Sequence, residues 1–168
     1  NLLNAAGSNP IYPNSVGILS TSSSITTSAS PGGNTGALAT STAGTNSNNK
    51  VYSNTISNVQ FGMLFICPQV TATVLESGND IGGTSAATAN TITYGNNNVA
   101  STAPWNTASA TVSGIQYRNG AGNNIRFNTV TSNTLTLASV GINISSGSTP
   151  SGVTYTSTIS DNIVSITN

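Results

Sequence analysis

Short apolar runs alternate with polar turns along most of the chain. The runs are rich in β-branched residues and are bounded by Asn, Gly and Ser, a pattern typical of β-strands. They fall at 51–56, 61–67, 70–75, 91–94, 110–117, 124–137, 140–144 and 153–166. Because residues that favour helices, such as Leu, Glu, Lys, Gln and Arg, are scarce, the pattern predicts an all-β fold with little or no α-helix.

Two short phrases recur within this pattern. Asn-x-(Ile/Val/Leu) occurs more than twice as often as the composition alone predicts, beginning at Asn1, Asn9, Asn14, Asn49, Asn54, Asn79, Asn90, Asn97, Asn123, Asn128, Asn133 and Asn162. Gly followed by an apolar residue occurs at Gly17, Gly62, Gly114, Gly141 and Gly152. Self-similarity at uneven spacing is typical of a solenoid that carries insertions between its coils.

The composition fits a right-handed parallel β-helix, a β-solenoid in which equivalent side chains stack from coil to coil. Asn and Gly tolerate the left-handed backbone that sharp corners need. Stacked coils lie about 4.8 Å apart, so two like charges in one column would repel by about 0.9 kcal/mol even in water. The chain has 24 Asn and only six charged side chains, which favours ladders of hydrogen-bonded polar residues.

The spacing of Thr-x-Thr and similar phrases, at 71, 91, 111, 134 and 154, predicts coils of 20 to 23 residues. We therefore expect a single domain over 1–168 with seven or eight coils. Residues 20–50 form a low-complexity tract that we interpret as a lateral loop excursion. The closing phrase 161–166 has no polar cap after it, so we expect a segment of a longer repetitive chain or copies stacked end to end.

The phrases at 54–59, 123–130 and 160–166 resemble right-handed parallel β-helix repeats. With the Gly-Ile phrases and the Ser/Thr/Asn-rich insertions between them, residues 48–168 look like the very large secreted surface proteins of Bacteroidota, including gliding-motility adhesins and other type IX-secreted proteins. This resemblance implies an extracellular, cell-surface role in adhesion or gliding motility. It implies no catalytic, cofactor or metal-binding residues, and partners that are neighbouring coils, surface glycans or other cell-surface proteins.

The composition argues against several other classes of protein. Without His, and with one cysteine, the chain cannot build a Ser/His/Asp triad, a Cys/His pair or a zinc site. Net charge is zero and the three cations lie far apart in the sequence, which argues against nucleic acid as a partner. The longest apolar run, 61–67, is far too short to span a bilayer. It contains Cys67, which we interpret as a buried small apolar residue.

Three sets of residues carry alternative hypotheses. Glu76, Asp80, Arg118 and Arg126 would form a minimal carbohydrate-processing or calcium site if they met in space, although we favour a solvated acidic loop and arginines that cap a coil. Trp105, Tyr94 and Tyr117 are candidate glycan contacts if their rings are exposed. A regular threonine face would indicate an ice-binding or self-stacking filament module.

Overall fold

The structure is a computed structural model that describes residues 16–21, 45–66, 74, 76–95, 112–133, 139–145, 154 and 156–167. Cys67, Trp105 and most of the 20–50 excursion lie outside these residues. A short 3-10 helix spans Ala86–Thr88, and the described residues contain no α-helix. The strands are β1 Val16–Thr21, β2 Lys50–Val51, β3 Thr55–Val59, β4 Phe61–Ile66, β5 Asp80–Ile81, β6 Thr91–Tyr94, β7 Val112–Arg118, β8 Asn123–Arg126, β9 Thr129–Ser132, β10 Ser139–Ser145, β11 Ser157–Ser160 and β12 Ile163–Ile166.

Every third strand returns to the same sheet, and all the pairings are parallel. Sheet A has the order β1-β4-β7-β10, sheet B β2-β5-β8-β11 and sheet C β3-β6-β9-β12. One coil is therefore three strands, and we number the coils one to four from β1–β3 to β10–β12. The predicted all-β parallel solenoid is confirmed, and its right-handed winding stays a prediction that the strong preference for right-handed crossovers favours.

The predicted coil length and coil number are wrong for the described residues, which build four coils. Ile115 of sheet A pairs with Met63 on one side and with Ile142 on the other, so successive coils are uneven and longer than the expected 20 to 23 residues. The extra residues lie in the connections that border sheet A, namely 22–49, 67–79 and 95–111. In contrast, the connection between sheets B and C is short in coils one, three and four.

The Asn phrase marks the corners that lead into sheets B and C. Its ladder members are Asn49, Asn54, Asn79, Asn90, Asn123, Asn128 and Asn162. At each of them the next residue faces outward and the third faces inward, and five of these inward residues are buried in the core: Ile56, Ile81, Ile92, Ile125 and Val130. One phrase thus encodes a corner, an outward position and an inward position, which is why it recurs.

Four of these amides form a ladder, hereafter the long asparagine ladder, that runs through all four coils. Asn54 donates from its main-chain N–H and its Nδ2 to Oδ1 of Asn90, at 3.0 and 2.9 Å. Asn90 Nδ2 donates to Asn128 Oδ1 at 2.8 Å, and Asn128 donates to Asn162 Oδ1 from its N–H at 2.9 Å and its Nδ2 at 3.0 Å. A buried amide that is satisfied in this way stabilises the stack, whereas an unpaired one would cost about 1 to 3 kcal/mol.

In coils one, three and four the sharp turn at this corner is made by the residue before the ladder asparagine. Ser53, Phe127 and Asp161 have φ values of 55°, 59° and 56° and precede Asn54, Asn128 and Asn162. The expectation that the corner Asn itself adopts the left-handed conformation is therefore wrong for this ladder. The left-handed residue turns the chain, and the asparagine beside it directs its amide towards the next coil.

The Gly phrase marks the strands of sheet A, where its glycines admit a close approach of sheet C. A Cβ on Gly62 would lie 2.4 Å from Cγ2 of Ile92, and one on Gly114 would lie 2.2 Å from Cγ1 of Val130. Ile92 and Val130 are themselves stacked neighbours in sheet C. A column of glycines therefore packs on a column of β-branched side chains, which keeps the core narrow.

Candidate functional site

The outer faces of sheets B and C are the solvent-facing candidates for a site. All six residues of β4 in sheet A are buried. Because alternate residues of a strand point to opposite faces, both faces of β4 are covered by protein. The outward positions of the other two sheets include exposed side chains, such as Lys50 in sheet B and Thr91 in sheet C.

Sheet B carries a polar cluster of Tyr52, Asp80 and Arg126. Tyr52 Oη donates to Asp80 Oδ2 at 2.6 Å, and Arg126 Nη2 lies 3.9 Å from Asp80 Oδ1. The hydrogen bond to Asp80, followed by desolvation and the carboxylate charge, raises the pKa of the Tyr52 phenol above its ordinary value. The sequence predicts the Asp80–Arg126 pairing as one part of a larger site, but it gives no indication of Tyr52.

Glu76 does not join this cluster at the surface. Its side chain is fully buried, and its main-chain carbonyl accepts a hydrogen bond from the N–H of Ala121. The expectation that Glu76 and Asp80 decorate a solvated loop is therefore wrong, since Asp80 begins strand β5 and Glu76 is inside the protein. The predicted pair of surface carboxylates for sugar or calcium chemistry is not formed by these two residues.

Both carboxylate oxygens of Asp80 already face other side chains. One carboxylate oxygen accepts from a phenol and the other faces a guanidinium, which is typical of a structural polar cluster on a strand surface. Within the described ranges, no three His, Cys, Asp or Glu side chains lie together in a way that could hold a metal ion.

The two tyrosines proposed as glycan contacts lie in the core. Tyr94 and Tyr117 have no exposed surface. The Tyr117 ring stacks on Phe65 with centroids 5.1 Å apart and its hydroxyl accepts from Asn79 Nδ2, while Tyr94 Oη and Ser139 Oγ share a hydrogen bond of 2.7 Å. Neither ring can stack on a sugar, so the prediction is wrong for both. The third candidate, Trp105, lies outside the described residues.

Sheet C carries a threonine surface that crosses the coils. Thr55, Thr91 and Thr129 are register partners in coils one to three, and Thr93 pairs with Thr131 in a second column. In coil four the two columns continue as Ile163 and Ser165. The inward neighbours Ile56, Ile92 and Val130 are buried, which fixes the threonines on the outer face. We call this uncharged set of columns the threonine face.

A search of protein-family models, curated proteins and solved structures for relatives of this chain gives no match. Among the described residues no helix is long and apolar enough to cross a membrane.

Proposed function

We propose that this chain is a non-catalytic structural or adhesive segment of a large extracellular cell-surface protein. The observation that carries the proposal is the long asparagine ladder, which links four coils without interruption through side chains that carry no charge. A solenoid whose coils are linked in this way is suited to act as a stiff spacer without net charge. The adhesive or gliding-motility role and type IX secretion are supported by the resemblance of the repeat phrases to Bacteroidota surface proteins.

The distribution of chain length between the strands supports the same proposal. The connection between sheets B and C is short in coils one, three and four, whereas the three longest connections, 22–49, 67–79 and 95–111, border sheet A. Variable connections between constant strands are the segments that most often carry binding contacts. We therefore propose that surface glycans or other cell-surface proteins are bound through these connections.

The described side chains favour a structural role over an enzymatic one. Asp80 is paired with Tyr52 and Arg126, and Glu76 is buried, so the acids do not form an open pair of the kind that glycoside hydrolysis requires. We propose that the chain is not an enzyme. A carbohydrate-active or glycan-binding module remains the alternative, with its contacts in the connections rather than on the two buried tyrosines.

The proposal is tested on intact cells of the source organism. Antibodies raised against the folded chain are expected to label unpermeabilised cells, and deletion of the coding region for coils three and four is expected to reduce surface attachment or gliding. The control deletes the same number of residues elsewhere in the gene. Labelling only after permeabilisation, or normal attachment after loss of the coils, would contradict the proposal.

The threonine face favours ice binding as a second candidate function. Thr91 and Thr93 in β6 and Thr129 and Thr131 in β9 present hydroxyl and methyl groups at two regular repeats, along the strand and between coils. Replacing Thr131 with Tyr should then abolish any inhibition of ice growth by the purified chain. The matched control is Thr158→Tyr on the outer face of sheet B. Unhindered ice growth in the presence of the unmodified chain would exclude this function.

A further inference from the structure

The outer face of sheet B carries half of the charged side chains of this chain. The sequence has six, and Lys50 in β2, Asp80 in β5 and Arg126 in β8 lie on three successive strands of this sheet. Their neighbours Ile81 and Ile125 are fully buried, which fixes the charged side chains on the opposite, outer face. The threonine face of sheet C has no charge, so this concentration is specific to one side of the solenoid.

Side chains from coils one and three converge on Asp80 in coil two. Tyr52 Oη donates to Asp80 Oδ2 at 2.6 Å, and Arg126 Nη2 lies 3.9 Å from Oδ1, which is too long for a hydrogen bond. The Tyr52 ring is also held from the side, since a Cβ on Gly83 would lie 3.2 Å from its Cε1. These groups are therefore held in place by the protein itself, which lowers the cost of binding a ligand.

Several polar groups around Asp80 keep hydrogen-bonding capacity that the protein does not use. Arg126 Nε and Asp80 Oδ1 are buried and have no hydrogen bond within the described ranges, while the Arg126 side chain as a whole is 25% exposed. Asn124, the register partner of Asp80, is half-buried and its side chain has no hydrogen bond there either. Lys50 is exposed and forms no ion pair in the same part of the chain. We call Lys50, Tyr52, Asp80, Asn124 and Arg126 the sheet B patch.

The chemistry of the sheet B patch selects a ligand with two kinds of group. Two cations and one acid give it a charge of +2 − 1 = +1. A guanidinium such as that of Arg126 binds a carboxylate through two parallel hydrogen bonds, and Lys50 attracts the same charge. Asp80 and Asn124 offer oxygen atoms that accept from hydroxyl groups. A sugar that carries a carboxylate uses both kinds of group, whereas a simple anion uses only the cations and a neutral sugar leaves the guanidinium without a counter-charge.

The length of the sheet B patch favours a polymer over a single sugar. Lys50 lies in coil one and Arg126 in coil three, with Asp80 between them. Because neighbouring strands lie about 4.8 Å apart, the patch extends roughly 10 Å along the solenoid axis. Successive units of one polysaccharide chain can therefore contact Lys50 and Arg126 together.

We propose that the sheet B patch binds a polysaccharide that contains uronic acid sugars. Arg126 and Lys50 hold the carboxylates, and Asp80, which Tyr52 keeps in position, accepts from a hydroxyl together with Asn124. The inference rests on the proposed surface role, because such polysaccharides lie outside cells, and it adds the constant body of the solenoid to the connections as a place of contact. Its test uses purified chain, so a failure here would leave the structural role unaffected.

The experiment is isothermal titration calorimetry of the full 168-residue chain with tetragalacturonate and with its neutral methyl ester. We expect a dissociation constant of about 0.1 to 1 mM for tetragalacturonate and at least about tenfold weaker binding of the ester. The ester has the same sugars and hydroxyl groups without the negative charge. Equal affinity for the two compounds, or no binding of tetragalacturonate at about 10 mM, would overturn the proposal.

Substitutions test whether Arg126 holds the carboxylate. Arg126→Gln should weaken binding of tetragalacturonate at least about tenfold. Arg118→Gln is the matched control, since Arg118 ends strand β7 in sheet A, and its affinity should equal that of the unmodified chain. Circular dichroism melting establishes that both variants are folded. Equal weakening by the two substitutions would contradict a site on sheet B.

A spectroscopic measurement locates the ligand without any substitution. On addition of tetragalacturonate, the NMR signals of Arg126 Nε–H and the Asn124 side-chain amide should shift, and the signal of Arg118 Nε–H should not. Acetate at the same carboxylate concentration should produce clearly smaller shifts, because it has no hydroxyl groups for Asp80 and Asn124. Equal shifts with acetate would show a site for any carboxylate, and shifts confined to residues outside sheet B would place the ligand elsewhere. Either result would overturn the proposal.

Discussion

Asn128 and Asn162, which occupy the same corner of consecutive coils, are joined by two hydrogen bonds to a single oxygen. The main-chain N–H and Nδ2 of Asn128 lie 2.9 and 3.0 Å from Oδ1 of Asn162. Asn54 and Asn90 repeat this arrangement at the start of the ladder. The corner therefore holds together through polar side chains in a protein whose connections vary in length from coil to coil.

Removal of the Asn128 amide should be the most damaging polar substitution in the ladder. Asn128 is fully buried, and its side chain bonds to Asn90, to Asn162 and to the carbonyl of Ile81. Asn128→Ala should lower the free energy of unfolding by about 3 kcal/mol in urea titration. Asn124→Ala is the control, because Asn124 is half-buried in the same coil and its side chain has no hydrogen bond among the described residues. Equal losses for both variants would contradict this assignment.

The glycine column predicts a steric effect that depends on the coil. Gly114→Ala places its Cβ 2.2 Å from Val130 Cγ1 in the buried core, so the free energy of unfolding should fall by about 3 kcal/mol. Gly141→Ala places its Cβ equally close to Cγ1 of Val164. Since Val164 is 45% exposed whereas Val130 is fully buried, that variant should lose clearly less stability. Urea titration of both variants measures the two losses in the free energy of unfolding. A larger loss for Gly141→Ala than for Gly114→Ala would show that the glycine column does not pack against sheet C as described.

A second ladder, at the corner between sheets A and B, is incomplete. Asn49 and Asn79 are bonded in the same manner as the long ladder, and Asn79 N–H donates to Asn123 Oδ1 at 3.1 Å. In coil four the register partner of Asn123 is Ser157, and Nδ2 of Asn123 is buried without a hydrogen-bond partner.

Ser157→Asn should therefore extend the second ladder and stabilise the protein. The longer side chain can bring an amide oxygen to Asn123 Nδ2, which should raise the free energy of unfolding by roughly 1 kcal/mol. The control Ser157→Leu is similar in size but has no acceptor, and it should give no such gain. A loss of stability on Ser157→Asn would contradict the register of β11.

The Tyr52–Asp80 pair predicts a dependence of stability on alkaline pH. The hydrogen bond to Asp80 raises the pKa of the Tyr52 phenol in the folded protein above its ordinary value of 10.0. The folded state therefore favours the protonated phenol, and its stabilising contribution is complete below pH 10.0 and is lost as the pH rises through the folded-state pKa.

Urea unfolding between pH 8 and pH 11 tests this linkage. The unmodified chain should lose stability at the alkaline end, and Tyr52→Phe should lose less because it has no phenol proton at that position. Asp80→Asn should bring the pKa of Tyr52 back towards its ordinary value when phenolate absorbance is followed. Identical pH profiles for the unmodified chain and Tyr52→Phe would show that the pair makes no such contribution.

The parts of the fold that the sequence predicts are those encoded by local repeats. The Asn phrase locates the corners because an amide, an outward residue and an inward residue must follow in that order. The Gly phrase locates sheet A because Gly62 and Gly114 face β-branched side chains in sheet C. In contrast, the single strands expected at 51–56 and 124–137 are each divided by a corner, because Ser53 and Phe127 adopt left-handed backbone and neither residue type signals it.

The parts that the sequence does not predict depend on distant contacts. Tyr94 and Tyr117 are candidate glycan contacts only if their rings are exposed, but both rings are buried, and Ser139 and Asn79 hydrogen-bond their hydroxyls inside the fold. The Tyr52–Asp80 contact arises only after Lys50 and Asp80 align in parallel register. The Thr spacing misleads about coil length, since Thr91 stacks on Thr55 and Thr129 rather than on threonines 20 residues away.

The measurement that tests the ladder most directly is native-state amide hydrogen exchange of the folded chain. The main-chain N–H groups of Asn54 and Asn128 lie outside the strands and donate to asparagine side chains at 3.0 and 2.9 Å. They should exchange as slowly as the strand amides of Ile92 and Val130, whereas the N–H of Asn162 should exchange quickly. Fast exchange at Asn54 and Asn128 beside protected strands would contradict a solenoid whose coils are held together by this ladder.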